Sequence, residues 1–341
     1  MLVAVAVASP GAPQPKHEDI DTCLACHGDP SMSITLPSGE VQSLYVDRAE
    51  FEHSVHGGKL GCTDCHTDIT EVPHPARPFR TKREFTIAYT EACKRCHFAN
   101  YSKTLDSVHY RAIARGDRMA PVCVDCHGAH NITPPGQPRS KISQTCAVCH
   151  EKVSATYAKS VHGRALIEDK NADVPTCTDC HHAHDIAGPH APGWRLKSPE
   201  LCASCHTNAA MMKKYGISTN VMQTYLADFH GMTASLEAEQ PTEHSRVTAL
   251  CIDCHGVHDI TKADARNSAV IKANLVATCR RCHPGATPNF SSAWLSHYEP
   301  SLKHAPMVYA VKIAYMILIP FMIGGLVLQI LLHLWRVVVN R

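Results

Sequence analysis

The chain has 341 residues, a formal net charge of +2 at pH 7 and only 6% aromatic residues. Length alone would accommodate two ordinary domains. The 33 Lys and Arg residues form neither a basic run nor a basic-aromatic motif, which argues against a nucleic-acid-binding protein. The 18 cysteines are the unusual feature of the composition, and their spacing decides the interpretation.

The first residues form a short apolar segment. Leu2 to Ala8 ends in small residues typical of the cleavage region of a secretory signal peptide, although no charged residue precedes it. We predict that residues 1–8 are the remnant of a signal peptide. A disordered alanine-rich leader is the alternative.

Every cysteine belongs to one of nine Cys-x-x-Cys-His motifs. This motif is the attachment signature of c-type haem, in which two thiols bond to the vinyl groups and the adjacent His becomes the proximal iron ligand. The sequence therefore predicts nine covalently attached haem c groups. The predicted attachment residues are Cys23, Cys26, Cys62, Cys65, Cys93, Cys96, Cys123, Cys126, Cys146, Cys149, Cys177, Cys180, Cys202, Cys205, Cys251, Cys254, Cys279 and Cys282. The predicted proximal ligands are His27, His66, His97, His127, His150, His181, His206, His255 and His283.

Two other metal sites use Cys-x-x-Cys pairs. A zinc ribbon takes two pairs for each ion, so nine pairs would leave one over, and it does not require a His after each pair. Iron–sulfur clusters usually group their cysteines more tightly than these isolated pairs. Both fit the pattern less well than haem.

The motifs alternate between two kinds. The even motifs have Asp before the second cysteine, and three of them continue with a His three residues after the proximal His and an Ile two residues later. Each odd motif is followed by a segment that ends in a lone His, often as Ser-x-His, and in three cases a Tyr precedes it. The repeat is therefore a two-haem unit, and four such repeats and a half fit in the chain.

The repeat also predicts the sixth ligand of each iron. A His three residues from a proximal ligand cannot easily cross its own macrocycle, so we expect it to bind a neighbouring haem. His53 is an alternative to His56, His182 is an alternative to His184, and Met is an alternative ligand type. The predicted distal ligands are His56, His74, His109, His130, His162, His184, His230, His258 and His297. Two His ligands on every iron would suit an electron carrier, whereas a catalytic haem keeps one position open.

The last part of the chain is apolar. Ile313 to Leu332 is interrupted only by Gln329 and just spans a hydrocarbon core of roughly 30 Å as a helix. Arg336 and Arg341 follow it, which predicts a cytoplasmic C-terminus and a periplasmic haem domain. The predicted organisation is residues 1–8 as leader, 9–305 as the nonahaem domain and 306–341 as a single-pass anchor in the cytoplasmic membrane.

The predicted fold is mostly α with extensive loops, elongated and packed around haem. The 288 residues from His17 to His304 give 32 for each motif, which is too few to wrap each haem in its own apolar shell. The haems are expected to pack on one another, with Lys and Arg side chains as partners of their propionates.

The motifs resemble those of multihaem c-type cytochromes of the cytochrome c3-like and hydroxylamine-oxidoreductase-related group, over roughly residues 20–300. With its single anchor, the chain looks like subunits that pass electrons between membrane quinols and periplasmic carriers, often beside a polytopic cytochrome b. It differs from the quinol-oxidising tetrahaem family, whose anchor is N-terminal. It also lacks the Cys-x-x-Cys-Lys motif of pentahaem nitrite reductases.

The predicted function is electron relay between a membrane quinol or cytochrome b partner and a periplasmic carrier, rather than catalysis. The alternative is a reductase or oxidase of small nitrogen or sulfur compounds at one open haem. His304, just before the anchor, could accept a quinol proton or could be an ordinary interfacial residue. His333 could contribute to a b-type haem shared with another subunit.

Overall fold

The computed structural model describes residues 17–189, 191, 193–239, 248–292, 294, 297–303 and 305–339. The predicted leader and His304 lie outside the described residues.

The described chain is 55% helix and 2% strand, which confirms the mostly α class. Strands β1 (Ser33–Thr35) and β2 (Val41–Ser43) pair antiparallel, with Ile34 opposite Gln42. A 3₁₀ turn covers Arg195–Lys197. The helices are α1 (His17–His27), α2 (Arg48–His53), α3 (Cys62–Cys65), α4 (Lys82–Lys94), α5 (Phe98–Thr104), α6 (Val108–Ala114), α7 (Cys123–His127), α8 (Ser140–Ala147), α9 (Glu151–Lys159), α10 (Val161–Ile167), α11 (Cys177–His181), α12 (Ser198–His206), α13 (Ala209–Lys214), α14 (Val221–Leu226), α15 (Phe229–Glu239), α16 (Cys251–His255), α17 (Lys272–Arg280), α18 (Pro288–Ser292) and α19 (Pro306–Val339).

Each even motif is a helix of one turn. Its Asp is the third helical residue, and the carboxylate accepts the N–H of the residue before the helix, as Asp125 does from Val122 at 2.7 Å. Three of these turns end in a residue of positive φ: Gly128 (77°), His182 (65°) and Gly256 (82°). The capping Asp and the left-handed residue together make the turn a self-contained element.

The chain divides into two compact units, Met1–Ala191 and Pro192–Arg341. The first unit holds the six motifs that begin at Cys23 to Cys177, and the second holds the remaining three and the long helix α19. The boundary falls inside the predicted haem domain of residues 9–305. The division into leader, haem domain and anchor stays a prediction.

Side chains bury little apolar surface by themselves. In the second unit the buried cluster consists of Tyr225, Ala234 and Leu250, with a few half-buried neighbours. The protein exposes 24280 Å², whereas a compact protein of its mass would expose about 13,700 Å². The exposed helix α19 contributes to this excess. The small number of buried side chains around the motifs fits helices that pack on a further apolar partner.

Helix α19 is long and apolar enough to cross a membrane. It has 34 residues, and its most apolar stretch of 18 residues has a mean hydropathy of 2.3 and is not buried. At 1.5 Å per residue it is about 51 Å long, which exceeds a hydrocarbon core of roughly 30 Å. Pro320 lies within the helix without ending it. The helix fits a single-pass membrane anchor.

Candidate functional site

The site is built from facing pairs of histidine rings. In seven places, the His of a Cys-x-x-Cys-His motif faces a His predicted as a distal ligand, with ring centroids 6.0 to 6.3 Å apart. The pairs are His27–His74, His66–His130, His97–His56, His127–His184, His150–His109, His255–His297 and His283–His230.

This separation is too long for stacking contact but fits one metal ion between two imidazoles. A metal–nitrogen distance of about 2.0 Å on each side and a ring radius of roughly 1.1 Å place the centroids roughly 6.2 Å apart. Among the described residues, no group of three or more His, Cys, Asp or Glu is arranged to hold a metal ion. The other ligands would have to come from a macrocycle, and a haem would supply four nitrogens. The residues fit haem.

Four predicted ligands remain. His162 lies in α10 and His181 ends α11 in the first unit, whereas His206 ends α12 and His258 follows α16 in the second. Each of the four takes part in an interaction of its own. Their roles as ligands stay predictions.

At two positions the sequence left a choice between two histidines, and the structure distinguishes the two candidates in each case. His53 Nδ1 lies 2.6 Å from the Ala49 carbonyl of its own helix, while His56 faces His97. His182 is the left-handed residue after α11 and lies 3.6 Å from Asp185, while His184 faces His127.

His130 and His184 each lie three residues after the His of a motif, and neither faces that His. His130 follows His127 but faces His66 of the preceding even motif. His127 in turn faces His184 of the next one. Successive repeats therefore complete one another's ring pairs.

Backbone bonds hold the distal segments in this arrangement. The Ser107 side chain accepts the N–H of His109 at the start of α6, and the N–H of Val108 donates to the Ile186 carbonyl at 2.8 Å. The N–H of Val55 donates to the Ile132 carbonyl in the same way. The Ile two residues after a predicted distal His thus accepts a backbone hydrogen bond. The donor is the residue just before the predicted distal His of the preceding repeat.

The first cysteines of an odd motif and the following even motif are in contact. Their sulfur atoms lie close together, and we call each such set a motif pair. Pairs 1 to 4 join Cys23 with Cys62, Cys93 with Cys123, Cys146 with Cys177 and Cys202 with Cys251. In pair 2 the hydrogen bond to Cys123, together with burial, raises the pKa of the Cys93 thiol.

In the first unit, the first four motifs open into one continuous cavity of about 1780 Å³. Its lining includes the eight cysteines of these motifs and their histidines His27, His66, His97 and His127. Small-molecule pockets typically measure about 300–1,000 Å³, so this space is larger than a single ligand site. No wall of protein separates the four attachment sites.

Comparison with known families agrees with this geometry. The cytochrome c3 family model matches residues 117–207, and the class III cytochrome c family model matches residues 29–150. The chain is a multihaem c-type cytochrome. Membership implies covalently bound haem c and electron transfer. Neither a curated protein nor a solved structure matches the chain.

Three arginines tie the motif pairs of the cytochrome together, and sequence reasoning missed them. Each binds the Asp of the even motif and the carbonyl three residues before its first cysteine, a contact that we call an arginine bridge. One sequence feature could have indicated two of these bridges: an Arg lies seven residues before the first cysteine of pair 3 and of pair 4. The bridges join Arg83 to Asp125 and Ala120, Arg139 to Asp179 and Val174, and Arg195 to Asp253 and Thr248.

The bridging arginines do not use all their donors. Arg139 Nε and Arg195 Nη1 are buried and have no hydrogen-bond partner among the described residues. Arg77 Nε has the same character. Buried donors of this kind normally have a partner, and a haem propionate has the right charge for one.

Proposed function

We propose that this cytochrome carries nine haem c groups and relays electrons between a membrane quinol or cytochrome b partner and a periplasmic carrier. The observation that supports it best is the spacing of the seven ring pairs, which would place a His on both faces of seven of the nine haems. When bound, haem supplies the one-electron chemistry, and filled axial positions suit it to transfer rather than to substrate binding.

The order of contacts along the chain supports a relay. Within each motif pair the first cysteines touch. Between pairs, Cys65 lies near Cys96 and Cys126 lies near Cys146 in the first unit. In the second unit Cys254 lies near Cys279. Because electron transfer slows steeply with distance, neighbouring attachment points favour stepwise transfer from haem to haem.

The anchor gives the relay a membrane end. Helix α19 begins 23 positions after His283, so the ninth haem would be the one closest in sequence to the bilayer. Arg336 at the end of the helix favours a cytoplasmic C-terminus and a periplasmic haem domain. His333 lies on the exposed helix and is available to a partner subunit.

Three measurements on the detergent-purified holoprotein test the proposal. Intact mass should show nine attached haems, and the oxidised protein should give only low-spin signals in electron paramagnetic resonance. Mass spectrometry of the complex isolated through a tag on this chain should recover a cytochrome b or another quinone-reactive subunit. Isolation of the chain alone, together with no haem reduction by a quinol in liposomes, would contradict a role at the quinol pool.

The second candidate is a reductase or oxidase of small nitrogen or sulfur compounds. It requires an open axial position, and seven of the motif histidines already have a second His opposite. One stoichiometric high-spin haem that binds nitrite or sulfite would favour this candidate over the relay.

A further inference from the structure

The segment that carries His230 departs from the other distal segments at one position. The residue two places before the distal His is Ser54, Ser107 and Ser160 in the first three repeats, and Asp228 in the fourth. The Ser hydroxyls accept backbone N–H groups, for example that of His109 from Ser107 at 3.1 Å. They are neutral, so they fix the local backbone without adding charge near the ring.

Asp228 also accepts a backbone N–H group, and in addition it carries a negative charge. Its Oδ1 accepts the N–H of Phe229 at 2.7 Å, and its Oδ2 accepts the indole N–H of Trp294 at 2.7 Å. Oδ2 also lies 3.8 Å from Nδ1 of His230. The carboxylate is 24% exposed and is held in place by these two donors, so it stays beside the ring.

Two other candidate axial rings have neutral partners at the same nitrogen. Nδ1 of His27 lies 2.7 Å from the Leu44 carbonyl, and Nδ1 of His74 lies 3.1 Å from the Pro75 carbonyl. A carboxylate near the outer nitrogen of a metal-bound His makes the ligand a stronger base than a carbonyl does.

We propose that Asp228 is a positioning residue that lowers the reduction potential of the haem held by His230 and His283. This inference rests on the proposed ligation of one iron by these two rings. The oxidised haem iron carries one more positive charge than the reduced iron, so a fixed negative charge beside its ligand stabilises the oxidised state. With Nε2 on the iron, Nδ1 carries the proton and points its positive end at the carboxylate.

A lower potential at this haem affects electron transfer between it and the other haems. The haem belongs to the ninth motif, the one that precedes the membrane helix in sequence. An electron that enters there moves energetically downhill to haems of higher potential. Asp228 therefore makes electron transfer from this haem to the other haems more favourable than it would be without the charge.

The test replaces Asp228 in the holoprotein and follows each haem by potentiometric titration with electron paramagnetic resonance. Asp228→Ser gives the fourth segment the residue of the other three, and Asp228→Asn removes the charge at nearly constant size. In both variants the midpoint potential of this low-spin haem should rise. The charge of Asp228 also reaches His297, so a smaller rise is expected at the haem between His255 and His297, and the other haems should stay in place. Asp228→Glu should return the first of these midpoints towards the wild-type value.

A converse variant separates charge from structure. Ser54→Asp places a carboxylate before His56 and should lower the potential of the haem between His56 and His97. Unchanged midpoints in Asp228→Asn and Asp228→Ser, with all haems present and low-spin, would overturn the inference and leave the proposed relay intact. A high-spin ninth haem in the wild-type protein would instead refute the proposed ligation itself.

Discussion

Motif pairs 1 and 2 bring their first cysteines into the same contact by different bonds. In pair 2, the Arg83 guanidinium reaches from α4 to the Asp125 carboxylate at 2.8 Å and to the Ala120 carbonyl. In pair 1, the Asp19 carboxylate reaches from α1 to the backbone N–H and the hydroxyl of Thr63, both at 2.9 Å. The charged residue on the side of the odd motif is positive in pair 2 and negative in pair 1. The first cysteines of both pairs are nevertheless in contact.

The histidines predicted as distal ligands differ between these two pairs as well. His130 follows its proximal His by three residues and faces His66 of the preceding pair. His74 follows His66 by eight residues and faces His27 within its own pair, with ring planes only 7° apart. The comparison teaches that the ring spacing and the cysteine contact are kept from pair to pair, while the residues that produce them change.

The largest expected effect comes from removing a distal ring in either pair. His130→Gly and His74→Gly should each convert one low-spin haem to high-spin and open it to carbon monoxide, because no second ring then faces the proximal His. Electron paramagnetic resonance and carbon monoxide difference spectra measure this. His53→Gly is the matched control and should leave every haem low-spin. Equal spectra for the control and the two variants would contradict the ring-pair assignment.

The sequence could predict those features that depend on local spacing and composition. The register of the repeat favoured His184 over His182 and His56 over His53, because one residue in each choice kept the spacing of its neighbours. The arginine bridge of pair 2 could not be predicted in the same way. Arg83 lies 42 residues from Asp125, and nothing local in the sequence indicates that contact. The mostly α class and the apolar C-terminal helix could be predicted because both depend on local composition and periodicity.

Breaking the bridge of pair 2 should cost less than removing a ligand. Arg83→Gln removes charge-assisted bonds at a guanidinium that is 21% exposed, so we expect a loss of about 1–2 kcal/mol in the free energy of unfolding. Thermal unfolding of the holoprotein measures it. Arg139→Gln should cost less, because Arg139 is 37% exposed. Arg115→Gln, at an exposed position outside the bridges, is the control. A loss no larger than that of the control would show that the bridge does not stabilise the pair.

In pair 1 the corresponding change should depend on pH. Partial burial raises the pKa of Asp19, but hydrogen bonds from Thr63 outweigh it and hold the pKa below its ordinary value. The carboxylate therefore contributes stability above its unfolded pKa of about 3.9, and this is lost as pH falls through the lower folded pKa. Asp19→Asn should cost no more than about 1 kcal/mol at pH 7 and progressively less below pH of about 4. Unfolding curves of the wild type and Asp19→Asn, recorded from pH 7 to below pH of about 4, measure this difference in the free energy of unfolding. A difference that did not become smaller as the pH falls would contradict the role assigned to Asp19.

The smallest effect concerns the Tyr that precedes a distal His. The Tyr157 hydroxyl donates to the Pro175 carbonyl, and the Tyr225 hydroxyl donates to the Ala249 carbonyl, each two residues before an even motif. Tyr101 of pair 2 instead places its ring 4.3 Å from Lys94 Nζ. Tyr157→Phe and Tyr225→Phe should each cost about 0.5–1.5 kcal/mol, because each leaves a partly buried carbonyl without its donor.

Tyr101→Phe is the matched control for this measurement. It keeps the ring face that the Lys94 ammonium contacts and removes a hydroxyl whose partner Tyr110 is exposed, so we expect a smaller fall in the midpoint of thermal unfolding than in Tyr157→Phe. If Tyr101→Phe proved as destabilising as Tyr157→Phe, the hydroxyl of pair 2 would have to support its even motif as well. The contrast between the pairs would then be confined to the charged residues Asp19 and Arg83.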